Sequence, residues 1–357
     1  MSKLNSFISF FLVALFIGCT TEPPRDILTR TVVYEPTEKW MWLHGDKNAS
    51  EEDLKARFTK LAQYGVTGVL IGGDHESMFR AAKAAGIEAH IWMWTLNRGD
   101  EYIMENHPEW YSENRLGVSC WDDPPYVGYY RWLCPTKVKV SDYLAEQVTA
   151  LAEKEYIDGI HLDYVRYCDV ILPRALWEKY GLVQDRELPQ FDYCYCSTCR
   201  KKYEASHGTD PILLAEPSVD SSWIQFRYDQ VTALVNRLSA ICQERNKPIS
   251  AAVFPTPSIA KQLVRQDWVN WKVDRLFPMV YHGFYNEPAD WIETAVQEGV
   301  DALDGKCKLT AGVYMPDLSS DSAFTLALKK AKTGGSMGIS IFGKMSEQQF
   351  EILKAHE

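Results

Sequence analysis

Short apolar runs alternate along the chain with segments of helical periodicity, and this alternation predicts parallel strands joined by helices. The runs are rich in β-branched and aromatic residues, and the segments between them repeat their apolar positions about every 3.6 residues. Strands are predicted at residues 39–44, 66–71, 87–95, 157–167, 249–254, 275–281, 309–314 and 337–342. Strands that alternate with helices pair in parallel. Eight such βα units predict a (β/α)8 TIM barrel.

Two long insertions interrupt the repeat and mark one face of the predicted barrel. Leu96–Lys139 follows the third strand, and Cys168–Ser222 follows the fourth. Loops after barrel strands lie on the catalytic face, and loops of this length are usually functional. A single barrel domain is predicted over residues 38–357. The alternative is an open doubly wound sheet, which is weakened because the sequence has no glycine-rich phosphate loop after the first strand.

Helices are predicted at residues 50–64, 76–85, 141–154, 223–245, 259–271, 288–303, 322–332 and 346–354.

The predicted fourth strand, Ile157–Tyr167, carries charged groups within an otherwise apolar run. Burying such groups without partners is costly. Because side chains alternate along a strand, His161 and Asp163 share one face. Asp163 is the strongest catalytic candidate because barrel enzymes hold their catalytic groups at the carboxyl ends of strands; the structural alternative is an ion pair between Asp163 and Arg166. We expect His161 either to hydrogen-bond Asp163 or to be a satisfied core histidine.

The aromatic content and the charge narrow the class of ligand. The chain has 12 Trp and 19 Tyr, and such rings stack against sugars as well as filling cores. The net charge is −10, without a run rich in lysine and arginine, which argues against nucleic acid as a partner. Substrate contacts are predicted for residues near the strand ends, namely Trp94, His161, Arg166, Tyr281, His282 and Tyr314.

A second carboxyl group is needed if the ligand is cleaved, since hydrolysis of a glycosidic bond normally uses two. Glu287, after the sixth strand, ranks first as the partner of Asp163. Asp74, after the second strand, follows, and Asp192 in the second insertion is third. The second insertion also contains Asp169. Each of these acids is alternatively a solvated or structural group.

The N-terminus has the pattern of an export signal. Lys3 precedes an apolar run, and Phe16–Cys19 resembles a bacterial lipobox in which Cys19 receives the lipid. Residues 1–19 are predicted to be a lipoprotein signal peptide, and residues 20–37 a tether. The alternative is an ordinary signal peptide or a single membrane anchor. We therefore expect an exported lipoprotein held at a bacterial membrane through lipid alone.

A cysteine cluster in the second insertion predicts disulfides or a bound metal ion that would hold this long loop in place. Cys194, Cys196 and Cys199 form a Cys-x-Cys-x₂-Cys motif, which resembles half of a structural zinc site. Four residues are candidates for the fourth ligand: Cys120, Cys134, Cys168 and His207. Disulfides are the alternative, because they persist in exported proteins, and free thiols are a third interpretation. No cofactor is expected to take part in catalysis.

The segment Asp158–Tyr167 resembles the Asp-Gly-hydrophobic-His-Leu-Asp-Tyr-x-Arg-Tyr strand of the bacterial family 10-like glycosylhydrolases, which are TIM-barrel proteins and often lipoproteins. Further similar stretches are His107–Tyr111, Pro124–Val127, Ala252–Pro257 and Pro278–Tyr281. The resemblance implies a carbohydrate-active enzyme in which Asp163 and Arg166 line the site.

A comparison with two other groups of barrels limits the mechanism. The strand is similar to the signature of family 18 chitinases, but His161 replaces its middle acid and Val165 stands in place of its catalytic Glu. It resembles more closely the α-amylase and α-galactosidase barrels, in which an Asp on the fourth strand is the nucleophile and the acid comes from the fifth or sixth strand. That resemblance implies Glu287 as the acid.

Together these patterns predict an exported, lipid-anchored glycoside hydrolase. Asp163 would act as nucleophile or base, Glu287 as proton donor, and Arg166 would organise the charges. The alternative is a glycan-binding barrel without catalysis. A metal-dependent hydrolase is disfavoured, since the sequence offers no convincing set of His and Asp ligands.

Overall fold

Eight parallel strands close into a barrel in which each strand pairs with the next along the chain and the last pairs with the first. The structure is a computed structural model and describes residues 37–356. The strands are β1 Glu38–His44, β2 Gly68–Gly72, β3 Glu88–Trp94, β4 Gly159–Asp163, β5 Ile249–Val253, β6 Arg275–Pro278, β7 Lys308–Tyr314 and β8 Gly338–Phe342. The predicted TIM barrel is confirmed.

Helices surround the barrel, and two of them lie in the insertions. Within residues 37–356 the α-helices are α1 Glu51–Gln63, α2 Glu76–Ala84, α3 Glu101–Asn106, α4 Val138–Ala152, α5 Ser197–His207, α6 Ser221–Glu244, α7 Pro257–Val264, α8 Trp291–Leu303, α9 Asp321–Thr333 and α10 Glu347–Ala355. Helices α3 and α5 belong to the first and second insertions. Over the described part of the chain, none of the helices has the length and apolar character needed to cross a membrane.

The predicted leader and tether lie outside the described residues. This applies to the lipobox and to Cys19, for which the structure gives no information.

The first helix, in contrast, begins as its sequence predicts. Ser50 caps α1 by accepting a hydrogen bond from the backbone N–H of Asp53 at 3.1 Å, and the Ser50 hydroxyl donates to the Asp53 carboxylate at 2.7 Å. Such a cap satisfies a backbone donor that the helix leaves unpaired.

The barrel interior is filled by aromatic side chains that point inward from neighbouring strands. Trp40, Trp42 and Phe277 are buried there. The Phe277 ring meets each of the two tryptophan rings edge to face, one of the arrangements that aromatic pairs prefer. A separate and larger apolar core lies between the strands and the surrounding helices. The interior is therefore packed up to the level at which the strands end.

His161 belongs to this packed interior. Its ring contacts Trp42 and Phe277 edge to face, with centroid distances of 4.7 and 5.0 Å, and its Nδ1 is 2.8 Å from the Ser250 hydroxyl. Complete burial holds the pKa of His161 well below its ordinary value, so that the ring is neutral. The interpretation of His161 as a core histidine fits this position, but the histidine is not fully satisfied, since its Nε2 has no hydrogen-bond partner among the described residues. The predicted hydrogen bond to Asp163 is also absent from the described contacts.

Strand β4 ends at Asp163, four residues earlier than predicted. Tyr164 adopts a left-handed conformation with φ of 50°, which is uncommon for a residue with a side chain and breaks the extended run. The prediction of helix 259–271 was also too long, because Arg265 adopts φ of 56° and ends α7 at Val264. In β4 the chain therefore leaves the sheet directly after the Asp163 carboxyl group.

Candidate active site

A cavity opens at the carboxyl ends of the strands, where TIM-barrel enzymes have their active sites. Its volume is about 300 Å³, at the small end of the range for ligand pockets. Two carboxyl groups, Asp163 and Asp169, line it together with Arg166 and His44. Most of the remaining wall is aromatic, formed by Trp42, Trp92, Trp94, Tyr130, Tyr164, Phe254, Tyr281, Phe284, Tyr285, Tyr314 and Phe342.

Asp163 is held at the wall of this cavity by two hydrogen bonds. The Trp92 indole N–H donates to Oδ2 at 2.9 Å, and the backbone N–H of Tyr164 donates to Oδ1 at 2.7 Å. The residue is only 9% exposed. Burial raises the pKa of Asp163 above its ordinary value, and the two hydrogen bonds and the Arg166 charge offset only part of that rise. The carboxyl group therefore holds its proton to a higher pH than a solvated aspartate does.

Arg166 forms a buried ion pair with Asp169 rather than with Asp163. Its guanidinium donates to Asp169 Oδ2 and to the carbonyl of Tyr167, both at 2.9 Å. The predicted structural alternative, an ion pair between Asp163 and Arg166, is therefore wrong; the Arg166 charge acts on Asp163 only through space. Arg166 lines the cavity as predicted.

Aromatic rings enclose the Arg166 guanidinium. Its central carbon lies 4.6 Å from the ring centroid of Trp132 and 4.9 Å from that of Phe254, within the range of cation–π attraction. Trp132 belongs to the first insertion, whereas Asp169 is the second residue of the second insertion. The ion pair thus lies where the two insertions meet over β4.

Besides Arg166, three of the predicted substrate contacts line the cavity. Trp94, 39% exposed, stands at the rim. Tyr281 and Tyr314 form part of the wall, with ring centroids 5.3 Å apart. Burial raises the pKa of Tyr281 well above its ordinary value, and the nearby Asp163 charge adds to the rise. Its hydroxyl therefore stays protonated and can donate a hydrogen bond to a ligand.

Two predicted contacts are not in the cavity wall. His161 lies in the packed interior below the cavity, and its side chain is completely buried. His282, after β6, is half-buried and also does not line the cavity. Their contact with a substrate stays a prediction; in the structure the cavity wall is built from their sequence neighbours.

The three predicted partners of Asp163 lie elsewhere. Glu287 is exposed and outside the cavity lining, because the turn after β6 carries it toward solvent. Asp74 forms an ion pair with Lys154 and accepts a hydrogen bond from the Tyr156 hydroxyl at 2.6 Å. Asp192 is buried against Arg227 and accepts from the Tyr195 hydroxyl at 2.7 Å. These positions fit the interpretation of the three acids as solvated or structural groups.

Sequence reasoning placed Asp169 in the second insertion without giving it a role. The signal available was its spacing, since it follows the cation Arg166 by three residues directly after a barrel strand. The Trp92 hydrogen bond was missed as well. Trp92 precedes Trp94 by two residues in β3, so strand alternation puts both on the same inward face.

Four cysteine thiols lie close together, and three of them belong to the predicted cysteine motif. All eight cysteines of the described residues are free. In four of them, Cys134, Cys194, Cys196 and Cys199, the sulfur atoms all lie within 4.8 Å of one another. Of the candidates for the fourth ligand, Cys134 lies in this cluster with the three cysteines of the motif. His207 instead stacks on Tyr203, with a centroid distance of 4.2 Å.

Comparisons with known proteins agree with this architecture. The glycoside hydrolase domain of PgaB (BpsB) from Bordetella bronchiseptica superposes with a TM-score of 0.61 at 12% identity, covering 88% of this chain and 95% of that one. The catalytic domain of β-amylase from Paenibacillus polymyxa superposes with a TM-score of 0.61 at 13% identity, covering 90% of this chain and 98% of that one. β-Galactosidase from the psychrophilic Marinomonas ef1 superposes with a TM-score of 0.58 at 12% identity, covering 89% of this chain and 58% of that one.

At these identities the three structures show a shared fold and nothing finer. A search of curated protein sequences gave no match. The sequence itself matches the family model of Glycosyl hydrolase-like 10 over residues 72–315. This match spans more than half of the chain and includes β4 and both insertions. The protein therefore belongs to the Glycosyl hydrolase-like 10 family.

Proposed function

We propose that the protein hydrolyses glycosidic bonds in the cavity at the barrel mouth, with Asp163 and Asp169 as its carboxyl groups. One observation carries the proposal: two carboxyl groups line a single aromatic cavity, and their surroundings differ in charge. Asp163 is buried against an indole and a backbone N–H, whereas Asp169 faces a guanidinium. Groups held in contrasting environments are the usual basis for dividing acid and base roles.

Asp163 is assigned here as the proton donor. A general acid must be protonated at the working pH, and burial raises the pKa of Asp163 in that direction. This assignment replaces the sequence-based role of nucleophile or base. Asp169 is assigned as the general base: it accepts a proton from the attacking water, whose oxygen bonds to the sugar carbon while the glycosidic bond breaks and Asp163 protonates the departing oxygen.

The aromatic wall supports a carbohydrate as the substrate. Sugar rings present apolar faces that pack on indole and phenol rings, while their hydroxyl groups need polar partners. Trp94 at the rim and the tyrosine pair Tyr281 and Tyr314 supply both kinds of contact. In this proposal the lipobox at Cys19 places the enzyme on the exported side of a bacterial membrane, where polysaccharides are encountered.

The test measures new reducing ends when the purified protein is incubated with a panel of bacterial and plant polysaccharides. On a glycan that the protein cleaves, Asp163→Asn removes the proton donor and should lower kcat by about 10²- to 10⁴-fold, the usual contribution of a general acid. Asp169→Asn should also lower kcat strongly, because the amide cannot accept the proton of the attacking water.

Glu287→Gln is the matched control, since it makes the same carboxyl-to-amide change at an exposed position outside the cavity. It should leave kcat and KM unchanged. Loss of turnover in Glu287→Gln with full turnover in Asp169→Asn would overturn the carboxylate assignment. If the wild-type protein binds a glycan of the panel but cleaves none, the function is binding without catalysis.

A further inference from the structure

We propose that Cys134, Cys194, Cys196 and Cys199 bind one Zn²⁺ in a closed, tetrahedral site. The four side chains come from both insertions: Cys134 from the first, the other three from the second. All four residues are buried, with at most 1% exposed. This inference concerns structure and does not depend on the proposed hydrolase activity.

The spacing of the sulfur atoms fits a metal better than it fits disulfides. The sulfurs of Cys134 and Cys199 are 3.4 Å apart, and those of Cys134 and Cys196 are 3.7 Å apart. Zinc–sulfur bonds of about 2.3 Å in a tetrahedron put the sulfurs about 3.8 Å apart, whereas a disulfide needs about 2.05 Å. All six sulfur pairs can belong to one tetrahedron, since every pair lies within 4.8 Å.

The surroundings of the thiols suit ionised ligands. Cys196 precedes α5 and Cys199 lies in its first turn, where the partial positive charge of the helix N-terminus favours thiolates. The Thr136 hydroxyl is 3.2 Å from the Cys199 sulfur and can donate a hydrogen bond to it, as groups around metal ligands commonly do. Four protein ligands leave no open coordination position, which is the pattern of a structural rather than a catalytic zinc.

The metal would hold the two insertions together beside the cavity. Cys134 follows Trp132 by two residues, and the Trp132 ring packs on the Arg166 guanidinium. On the other side, the Asp169 carboxylate that pairs with Arg166 lies at the start of the second insertion. Zinc bonds that join Cys134 to the second insertion would therefore limit how far Trp132 and Asp169, the two partners of Arg166, can move apart.

The first experiment measures the metal in the protein as purified, without added metal. Elemental mass spectrometry should find one zinc per chain. Release of that zinc by a thiol-modifying reagent, followed with a colorimetric zinc indicator, should be complete only after the four cluster thiols have reacted. After replacement by Co²⁺, the protein should show the intense visible absorption of a tetrahedral cobalt tetrathiolate.

Ligand identity is tested with paired substitutions. Cys134→Ser and Cys196→Ser should lose zinc, and their melting temperatures should fall. Cys168→Ser and Cys120→Ser are the matched controls, because these buried thiols lie in the same insertions but outside the cluster. Both should retain one zinc per chain. Where a ligand variant does not fold, the stoichiometry and cobalt spectrum of the wild-type protein still decide the proposal.

Two outcomes would overturn the proposal. One is a metal-free wild-type chain whose denatured mass shows the loss of two hydrogens for each disulfide among these four cysteines. The other is a purified protein whose tetrathiolate holds iron, recognisable by its colour, since the same ligands also suit that metal. Zinc that persists in Cys134→Ser but is lost from Cys168→Ser would move the fourth ligand to Cys168.

Discussion

Asp163 shows how one buried carboxyl group can be both a candidate acid and a cost to stability. Its burial raises its pKa, because the charged form loses solvation that two hydrogen bonds only partly replace. The same residue was identified from the sequence, since a carboxylate inside an apolar strand needs an explanation. Its environment was not predictable, because Trp92 comes from another strand and the Tyr164 N–H depends on a left-handed turn.

The raised pKa of Asp163 predicts a pH dependence of stability. Between the ordinary pKa of 3.8 and the raised value, the folded state binds more protons than the unfolded state, so the free energy of unfolding falls as pH rises. Asp163→Asn removes this contribution. Chemical denaturation from about pH 3 upward should therefore show the variant gaining stability relative to the wild type across that window. Parallel curves for the two proteins would contradict the prediction.

At the scale of elements, the ends of strands and helices were harder to predict than their centres. Apolar periodicity located all eight strands, because burial on both faces of the sheet leaves a clear pattern in the sequence. It did not show that β4 stops at Asp163 or that α7 stops at Val264. Both ends depend on residues in left-handed conformations, Tyr164 and Arg265, which the apolar pattern does not record.

The loop that follows β4 depends on its buried ion pair. Arg166→Met leaves the Asp169 carboxylate, 2% exposed, without its cation, and should lower the free energy of unfolding by about 3–5 kcal/mol. Adding Asp169→Asn should recover much of that loss, because the uncompensated charge is then gone. Denaturant unfolding of the single and double variants measures both effects.

Arg80→Met is the matched control for this prediction. Arg80 pairs with Glu76 on the surface of α2, where the two side chains are 64% and 52% exposed. Breaking an exposed pair should cost less than about 1 kcal/mol. Equal losses in Arg166→Met and Arg80→Met would mean that the buried pair does not support the loop.

For the whole molecule, the barrel was predictable because its eight units repeat the same pattern, and repetition compensates for errors at single boundaries. The site was predictable only in part. Asp163, Arg166, Trp94, Tyr281 and Tyr314 do line one cavity, since strand ends converge in any such barrel. The place of Asp169 in the cavity wall was not foreseen, because Glu287 and Asp169 lie in loops, and loop paths follow from contacts between the insertions rather than from periodicity.

The predicted lipobox gives a testable expectation for the location of the protein. If the protein is exported and lipidated as predicted, Cys19→Ser removes the residue that would carry the lipid, and the chain should move from the membrane fraction to the soluble fraction of an expressing bacterium. Fractionation followed by immunoblotting measures the change, with Cys307→Ser as a control that keeps the lipobox. Retention of Cys19→Ser in the membrane fraction would favour an uncleaved anchor.

The hydrogen bond from Trp92 to Asp163 also provides an optical reporter. Indole emission responds to the charge of the group that accepts its N–H, and here that acceptor is the carboxyl group at the cavity wall, 2.9 Å away. Ionisation of Asp163, or a sugar that displaces its hydrogen bond, should change the emission of this tryptophan. The difference spectrum between the wild type and Trp92→Phe would isolate that signal. Binding could then be followed without a label, even for a glycan whose cleavage has not been detected.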